Sequence, residues 1–475
     1  MLPSFETKIV ATIGPASGSE EVLADLVTAG MNVARLNFSH GDFESHRRVV
    51  ERIRRVSRDL GIPVGILADL PGPRIRVGEI EPESVELVAG APFVLTTEET
   101  VGDGSRASVA FASLPEVVSP GDAIYLNDGF VELVVEEVAA PEVRCRVRAG
   151  GELRSRKGVN LPGIDLGIGA FTARDRECLA FALEAGVDIV SQSFVASAAD
   201  IAAVRAAAAE CGHDDIFVVA KIERAAARER LDEILDVADG IMVARGDLGV
   251  EIPIEQIAVA QKLLIRMANA AGKPVITATH MLESMTGSRR PTRAEATDVA
   301  NAVLDGTDAV MLSGESAVGR YPAESVRMLA RIAAAIEPRE SSLPSAEPAG
   351  VPSSARDARD VIALAVDRAL EAVDDAIVVV PTVSGATARS VARCRPEPWI
   401  LAVSPNEATV RRLQLTRGVW PVLVERAPDD WRAFVMEKLA ELGREEKVVI
   451  LTEGPSPANP DRSHRMEILE MGEAG

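Results

Sequence analysis

Apolar positions along the chain fall into two rhythms. Over Lys8–Ile13, Met31–Phe38 and Val64–Asp69, near-continuous β-rich runs alternate with segments of helical period, Glu20–Ala29 and Phe43–Leu60. Runs apolar on both faces, spaced by helices of this length, are the pattern of buried parallel strands, not hairpins. From about Pro73 to Arg156 the helical period disappears, and Gly and Pro punctuate short Val-rich runs such as Ser84–Val88, Ala123–Leu126 and Val131–Val138. That stretch predicts an antiparallel β module inserted after the third strand. The first rhythm resumes at Val187–Phe194, Ile216–Glu223, Gly240–Asp247, Pro274–Thr279 and Ala309–Glu315. Eight strands outside the insertion, each followed by a helix, predict an α/β fold of the TIM (β/α)8 barrel type. A third α/β unit follows, with helix Asp360–Val373 and strands at Ala376–Val380, Trp399–Val403, Trp420–Val424 and Lys447–Leu451. The expected division is therefore barrel (1–72), inserted β domain (73–156), barrel (157–340), a linker rich in Pro, Ser and Glu (341–357), and a C-terminal α/β domain (358–475).

Polar residues interrupt the apolar runs at one place, the C-terminal ends of the barrel strands. Arg35 and Asn37, Asp69, Gln192, Lys221 and Glu223, Asp247, Thr279 and His280, and Ser313 and Glu315 all sit there. In a TIM barrel that end is the active-site face. A single polar strand end has an ordinary explanation in capping or solubility, but a set spread over every strand after the first does not.

Composition narrows the chemistry. With 51 basic against 72 acidic residues and 3% aromatics, the 475-residue chain has neither the charge footprint nor the stacking platforms of a nucleic-acid binder. No apolar run is long enough to span a bilayer. The cysteines Cys145, Cys178, Cys211 and Cys394 are scattered without metal or redox spacing, which fits reduced thiols in a cytoplasmic protein. At a net charge of −21, an anionic substrate requires a metal or a local basic cluster at the site.

Both are available. Glu223 and Asp247 supply hard oxygen ligands from neighbouring strands, the usual provision for Mg²⁺ or Mn²⁺ serving a phosphorylated substrate. The competing account of Lys221-Ile222-Glu223 is a structural salt bridge, although residues two apart on a strand share a face. Lys221 and Arg35 are the strand-end cations best placed to stabilise a phosphoryl group in transfer. Backbone N–H groups around Gly246-Asp247-Leu248-Gly249 can hold a carboxylate or phosphate, though such glycines also simply make tight turns.

Taken together, Thr7–Ser17, Met31–Gly41, Lys157–Gly163, the Lys221-Ile222-Glu223 strand, Ile241–Pro253, Gly272–Met285, Arg290–Gly306 and Met311–Pro322 resemble the pyruvate kinase family in order and over nearly the whole chain. The resemblance implies a TIM barrel with an inserted β-barrel lid domain and a C-terminal α/β domain, acting on phosphoenolpyruvate and ADP to give pyruvate and ATP. It implies that Glu223 and Asp247 bind the divalent metal, Ala244 and Gly246 offer N–H to the substrate carboxylate, and Lys221 and Arg35 contact the phosphoryl group. Thr279 would lie beside the carbon that is protonated, with Ser313 and Glu315 in the proton network behind it, and Arg76 and His40 would contact ADP phosphates. A homotetramer and a phosphorylated effector are also implied. For the effector, Thr382, Ser384, Gly385 and Thr387 form a phosphate cradle at a helix start, with the loop 453–459 able to close over it; plain helix capping is the alternative.

Two departures stand out. Where many members hold K⁺ with Asn37, Ser39, Asp69 and a threonine, this chain has Leu70, which lacks the hydroxyl, and Arg74 replaces an acidic residue. That resembles the potassium-independent subset, so K⁺ is not expected to be required and the Arg74 guanidinium takes over its charge. His280 stands where a Gln is usual, as a neutral hydrogen-bonding group or as an acid. A metal-dependent lyase or aldolase, which would stabilise the same enolate, and a non-catalytic effector-binding protein are the alternative functions.

Overall fold

In the computed structural model, which describes residues 2–127, 129–338, 358–454 and 463–471, every expected barrel strand is present. The first three are β1 (Lys8–Thr12), β2 (Val33–Asn37) and β3 (Gly65–Leu70). The inserted domain contributes β4 (Ser84–Leu87), β5 (Pro92–Thr96), β6 (Arg106–Ser108), β7 (Ala123–Leu126), β8 (Val131–Ala139), β9 (Glu142–Ala149), β10 (Gly151–Arg154) and β11 (Val159–Asn160). The barrel resumes with β12 (Ile189–Gln192), β13 (Phe217–Ile222), β14 (Gly240–Ala244), β15 (Val275–Ala278) and β16 (Ala309–Leu312). The C-terminal domain holds β17 (Ala376–Pro381), β18 (Ile400–Ser404), β19 (Val419–Leu423), β20 (Val448–Glu453) and β21 (Arg465–Glu470). The linker at 341–357 and most of the loop 453–459 lie outside the described residues.

Among the described residues, the eight barrel strands close in the order β1-β16-β15-β14-β13-β12-β3-β2. Strand alternation separates two apolar layers. Ile9, Ala34, Ile66, Val190, Val218 and Val243 pack against the helices, whereas Val10, Val33, Leu67, Ile189, Val219 and Met242 fill the barrel interior. Two residues further along five of the eight strands, the interior parity turns polar: Thr12 follows Val10, Arg35 follows Val33, Asp69 follows Leu67, Ser191 follows Ile189 and Lys221 follows Val219. The apolar floor thus carries a charged mouth on the same side-chain face.

The inserted domain is a sheet in the order β11-β7-β8-β9-β5-β6, with β10 and β4 paired separately. Its pairs are antiparallel except β5 with β6. Val159–Asn160 pairs with Tyr125–Leu126, so the sheet draws its last strand from the segment returning to the barrel. The C-terminal sheet runs β19-β18-β17-β20-β21, parallel except for the antiparallel edge strand β21, which the sequence pattern left unassigned.

The C-terminal domain grips the barrel floor through groups that also set strand register. Asn32 Oδ1 accepts from Ile9 N at 2.9 Å while its amide donates to Gln414. Asp188 accepts from Ile66 N at 2.8 Å, and Arg412 donates to its carbonyl. Asp308 accepts from Val275 N at 3.1 Å, from Arg417 N at 3.1 Å and from Arg395 at 3.0 Å. Lys8 Nζ reaches Val419 O at 2.7 Å. Burial pushes Glu6 up to about 7 against the pull of Arg417, and pushes Lys8 down to about 8. The folded Glu6 carboxyl therefore binds its proton more tightly than the unfolded one, and its contribution, present below the ordinary carboxyl range, is lost as pH rises through 7. Glu6→Gln is expected to stabilise the protein by about 2 kcal/mol at pH 8 and by little at pH 4; a pH-independent difference in urea unfolding would count against this account.

Candidate active site

The mouth is built around Asp69. Register places Asp69 level with Asn37 on β2 and with Ser191 on β12. Arg35 donates to Asp69 Oδ2 from Nε at 2.9 Å and from Nη2 at 2.5 Å, and its third nitrogen reaches Thr12 Oγ1 at 2.9 Å. Ser191 Oγ donates to Asp69 Oδ1 at 2.7 Å. Lys221 Nζ lies 3.2 Å from Asp69 Oδ1, 2.9 Å from Glu223 Oε1 and 2.7 Å from Ser193 Oγ. All four charged groups are nearly inaccessible to solvent.

Electrostatics favours the charged forms of Asp69 and Lys221. Burial alone would raise Asp69, but the Lys221 ammonium and Arg35 guanidinium, with the Ser191 hydroxyl, hold it well below the usual carboxylate range. Burial would lower Lys221, yet Asp69 and Glu223 outweigh it and raise the ammonium above its ordinary value. Lys221 is a permanent cation here, suited to charge stabilisation and not to proton transfer.

Glu223 directs its other oxygen to Phe194 N at 2.7 Å. Asp247 contributes to the negative field that raises Lys221. It does not lie at a strand end as the sequence pattern implies: β14 stops at Ala244, and Arg245–Glu251 is helix, with Asp247 in its first turn. Strand and helix abut without a loop, so an apolar run followed by charge gives no sign of the boundary. Arg245 turns away to Asp298, Ala278 O and Thr279 O. Gly246 is pressed against Thr279, where a Cβ would come within 2.7 Å of Thr279 Cγ2. Thr279 and the exposed His280 both have positive φ, 75° and 54°.

Glu315 is fully buried and staples two strand ends, accepting from Ser313 N at 2.7 Å and Leu282 N at 3.0 Å. Asn37 Oδ1 accepts from Ser39 N at 3.1 Å, and the exposed His40 follows in the same turn. Partial desolvation of its ring, together with the Arg74, Arg76 and Arg35 guanidiniums, pushes His40 down. Arg74 and Arg76 thus stand within electrostatic reach of His40 from the inserted domain's side; Arg76 also donates to Arg156 O at 2.7 Å. The effector set lies elsewhere, after β17. Thr382 Oγ1 accepts from Gly385 N at 2.9 Å and Ser384 Oγ from Ala386 N at 3.5 Å, so both hydroxyls bond the turn that leads into the short helix Ala386–Ala392.

Two further expectations change. Gln192 does not face the mouth: its parity is opposite to that of Ile189, and its amide donates to Ala170 O and Ser193 O. Its neighbours Ser191 and Ser193, in phase with Ile189, do the work at that strand end. Leu70 likewise points outward into the helix layer, so a hydroxyl at that position would not reach the mouth. What Leu70 presents is its carbonyl, which accepts from Ser193 Oγ at 2.7 Å. Thr12, Ser191 and Ser193 escaped the sequence reading; counting parity from the apolar floor would have found them.

Among the described residues, no three His, Cys, Asp or Glu side chains form a metal cage. Two carboxylates beside a buried cation pair, Glu223 just past the end of β13 and Asp247 in the first turn of the helix that follows β14, fit instead a divalent ion that completes its shell with water or substrate oxygen. A barrel mouth of this construction, in a barrel interrupted after its third strand by a β domain, defines a phosphoryl-transfer enzyme of the TIM-barrel class. Family models agree: "pyruvate kinase, barrel domain" matches residues 5–326 and "pyruvate kinase, alpha/beta domain" matches 360–469. Pyruvate kinase of Thermococcus litoralis is 47% identical over 473 residues, covering 99% of each chain. That of Clostridium acetobutylicum is 40% identical over 93% of this chain and 94% of its own, and human pyruvate kinase PKLR 43% identical over 92% and 79%. The chain belongs to the pyruvate kinase family and is a transferase.

Proposed function

We infer that the barrel mouth carries the glycolytic reaction of the family, transfer of the phosphoryl group of phosphoenolpyruvate to ADP. The bond between phosphorus and the enol oxygen breaks as a terminal ADP oxygen takes the phosphorus, and the enolate is then protonated at its methylene carbon to give pyruvate. The observation carrying this reading is the buried Lys221–Asp69–Arg35 cluster beside Glu223. Its cations are fixed before substrate arrives, which is the condition for stabilising charge in a loose phosphoryl transition state.

In this reading Glu223 and Asp247 hold Mg²⁺ or Mn²⁺, which when bound supplies Lewis-acid polarisation of substrate oxygens. Lys221 and Arg35 face the phosphoryl group. Ala244 and Gly246 N–H orient the substrate carboxylate, a role supported by the helix that starts at Arg245. Thr279 lies over the carbon to be protonated, and Glu315 acts by orienting the Ser313 and Leu282 backbone. Arg76 and His40 receive ADP, and Asn37, Ser39, Asp69 and Arg74 form the place where K⁺ would otherwise sit. A coupled assay with phosphoenolpyruvate, ADP and Mg²⁺ tests the whole; no ATP from the wild type would overturn it. Replacing K⁺ with tetramethylammonium as the counter-ion of the substrates and buffer salts is expected to leave turnover within about twofold, because a tethered guanidinium supplies the charge. Several-fold activation by added K⁺ would remove Arg74 from that role.

The reading extends to a cytoplasmic homotetramer regulated by a phosphorylated effector at Thr382, Ser384, Gly385 and Thr387. Family likeness supports these parts. No described helix is long and apolar enough to cross a membrane.

A further inference from the structure

The chain crosses between barrel and inserted domain twice, outward after β3 at 70–74 and back through 161–172. Both crossings end on one carboxylate. Asp175, fully buried in the first turn of helix Ala173–Glu184, accepts from Gly72 N at Oδ1, 2.8 Å. At Oδ2 it accepts from Thr172 N at 2.8 Å and Thr172 Oγ1 at 2.5 Å. The Thr172 contacts form a capping box, which any helix start can have. The bond to Gly72 is no part of a cap; it joins residues 103 apart in sequence and fixes the outward crossing to the return.

The outward crossing is also fitted to the charged wall of the mouth. Leu70 O accepts from the Ser193 hydroxyl, to which Lys221 donates. Gly72, at φ 66°, packs so closely that a Cβ there would lie 2.8 Å from Phe194 Cδ2 and 3.1 Å from Ser193 Cβ. Phe194 N in turn donates to Glu223. Any shift of Gly72 therefore disturbs the peptide holding Glu223 and the hydroxyl holding Lys221, and it moves Arg74 and Arg76, which follow directly.

We propose that Asp175 is a positioning residue for phosphoryl transfer: beside the backbone pairing of 75–77 with 157–159, it pins the two crossings to each other on the barrel side, so that the inserted domain moves as one body and keeps Arg74 and Arg76 in register with Lys221 and Glu223. The proposal rests on the active-site reading above and adds to it the part that aligns the two halves of the site.

Asp175→Asn in the full chain keeps the shape of the side chain but loses an acceptor. It is expected to raise KM for ADP about tenfold and lower kcat about tenfold, with a clearly smaller rise in KM for phosphoenolpyruvate, since Arg76 moves with the inserted domain whereas Lys221 and Glu223 stay on the barrel and are disturbed only through Ser193 and Phe194. Thr172→Ala removes the cap hydroxyl and leaves the Gly72 bond; it is expected to lower the unfolding temperature without moving either KM. If Asp175→Asn behaves like Thr172→Ala, the residue is only a helix cap and the pin is wrong. Should the Asn variant fail to fold, hydrogen exchange of the unliganded wild type decides: peptides covering 70–76 and 167–172 are expected to open with one common rate, and independent opening overturns the proposal. That measurement does not involve turnover, so a wild type without kinase activity would sink the functional reading while leaving the pin to be judged on its own.

Discussion

Lys221→Met is expected to lower kcat by about a thousandfold or more, because in the proposed reaction it removes the buried ammonium that stabilises the transferred group while leaving the binding surface nearly intact. Methionine approximates the volume of lysine and fills the same channel, so packing loss is small. What changes is charge. Lys221 lies between Asp69 and Glu223 at 3.2 and 2.9 Å, and without it Glu223 keeps only Phe194 N among the partners described above. Removing one member of a buried charged group generally costs about 3–5 kcal/mol, and here Arg35 still compensates Asp69, so the lower part of that range is expected. Steady-state kinetics with circular dichroism on the same sample separates the two effects. A folded Met variant retaining a tenth of wild-type kcat would exclude Lys221 from the chemistry.

Asp69→Asn is the second large effect, and it is larger for stability than for turnover. The carboxylate accepts from Arg35, Ser191 and Lys221 at once, and an amide cannot neutralise two cations. A loss of about 3 kcal/mol at neutral pH is expected, together with about a hundredfold fall in kcat as Arg35 and Lys221 repel and separate. The pH dependence has a definite sign. The folded pKa is depressed below the unfolded one, so the Asp69 contribution is present above the ordinary carboxylate range and is lost as pH falls below it. The stability gap between wild type and Asp69→Asn should therefore narrow from pH 6 toward pH 2 in urea unfolding; a constant gap would mean that Asp69 acts through packing alone.

The barrel was legible because buried parallel strands leave long apolar runs between helices, and the mouth because polar residues cluster where such runs stop. Lys221, Glu223, Arg35 and Asp69 were all found this way. Assignments failed where the signal has a period of two and the reading ignored it. Gln192 looked like a site residue because it ends a strand, whereas parity turns it outward and brings Ser191 and Ser193 in. Leu70 looked like a lost ligand for the same reason. The end of β14 was misplaced because the helix starts at Arg245, directly after the strand, and takes in the glycine that would otherwise mark a turn. The edge strand β21 alternates too weakly to stand out, being half-exposed on both faces. The bond from Asp175 to Gly72 joins segments that only the fold brings together, and no local pattern announces it.

The grip on the barrel floor has a consequence for how such a chain can be taken apart. Asp188, Asp308 and Asn32 each serve two masters, a neighbouring strand's amide and a group from the C-terminal domain. Cutting the chain after the barrel would strip the second partner from all three and bare the apolar surface around Leu415, which sits in the barrel's own interior cluster. The catalytic unit is thus not a module that recombination or protein engineering can transplant alone. A shorter descendant would first have to redesign its floor.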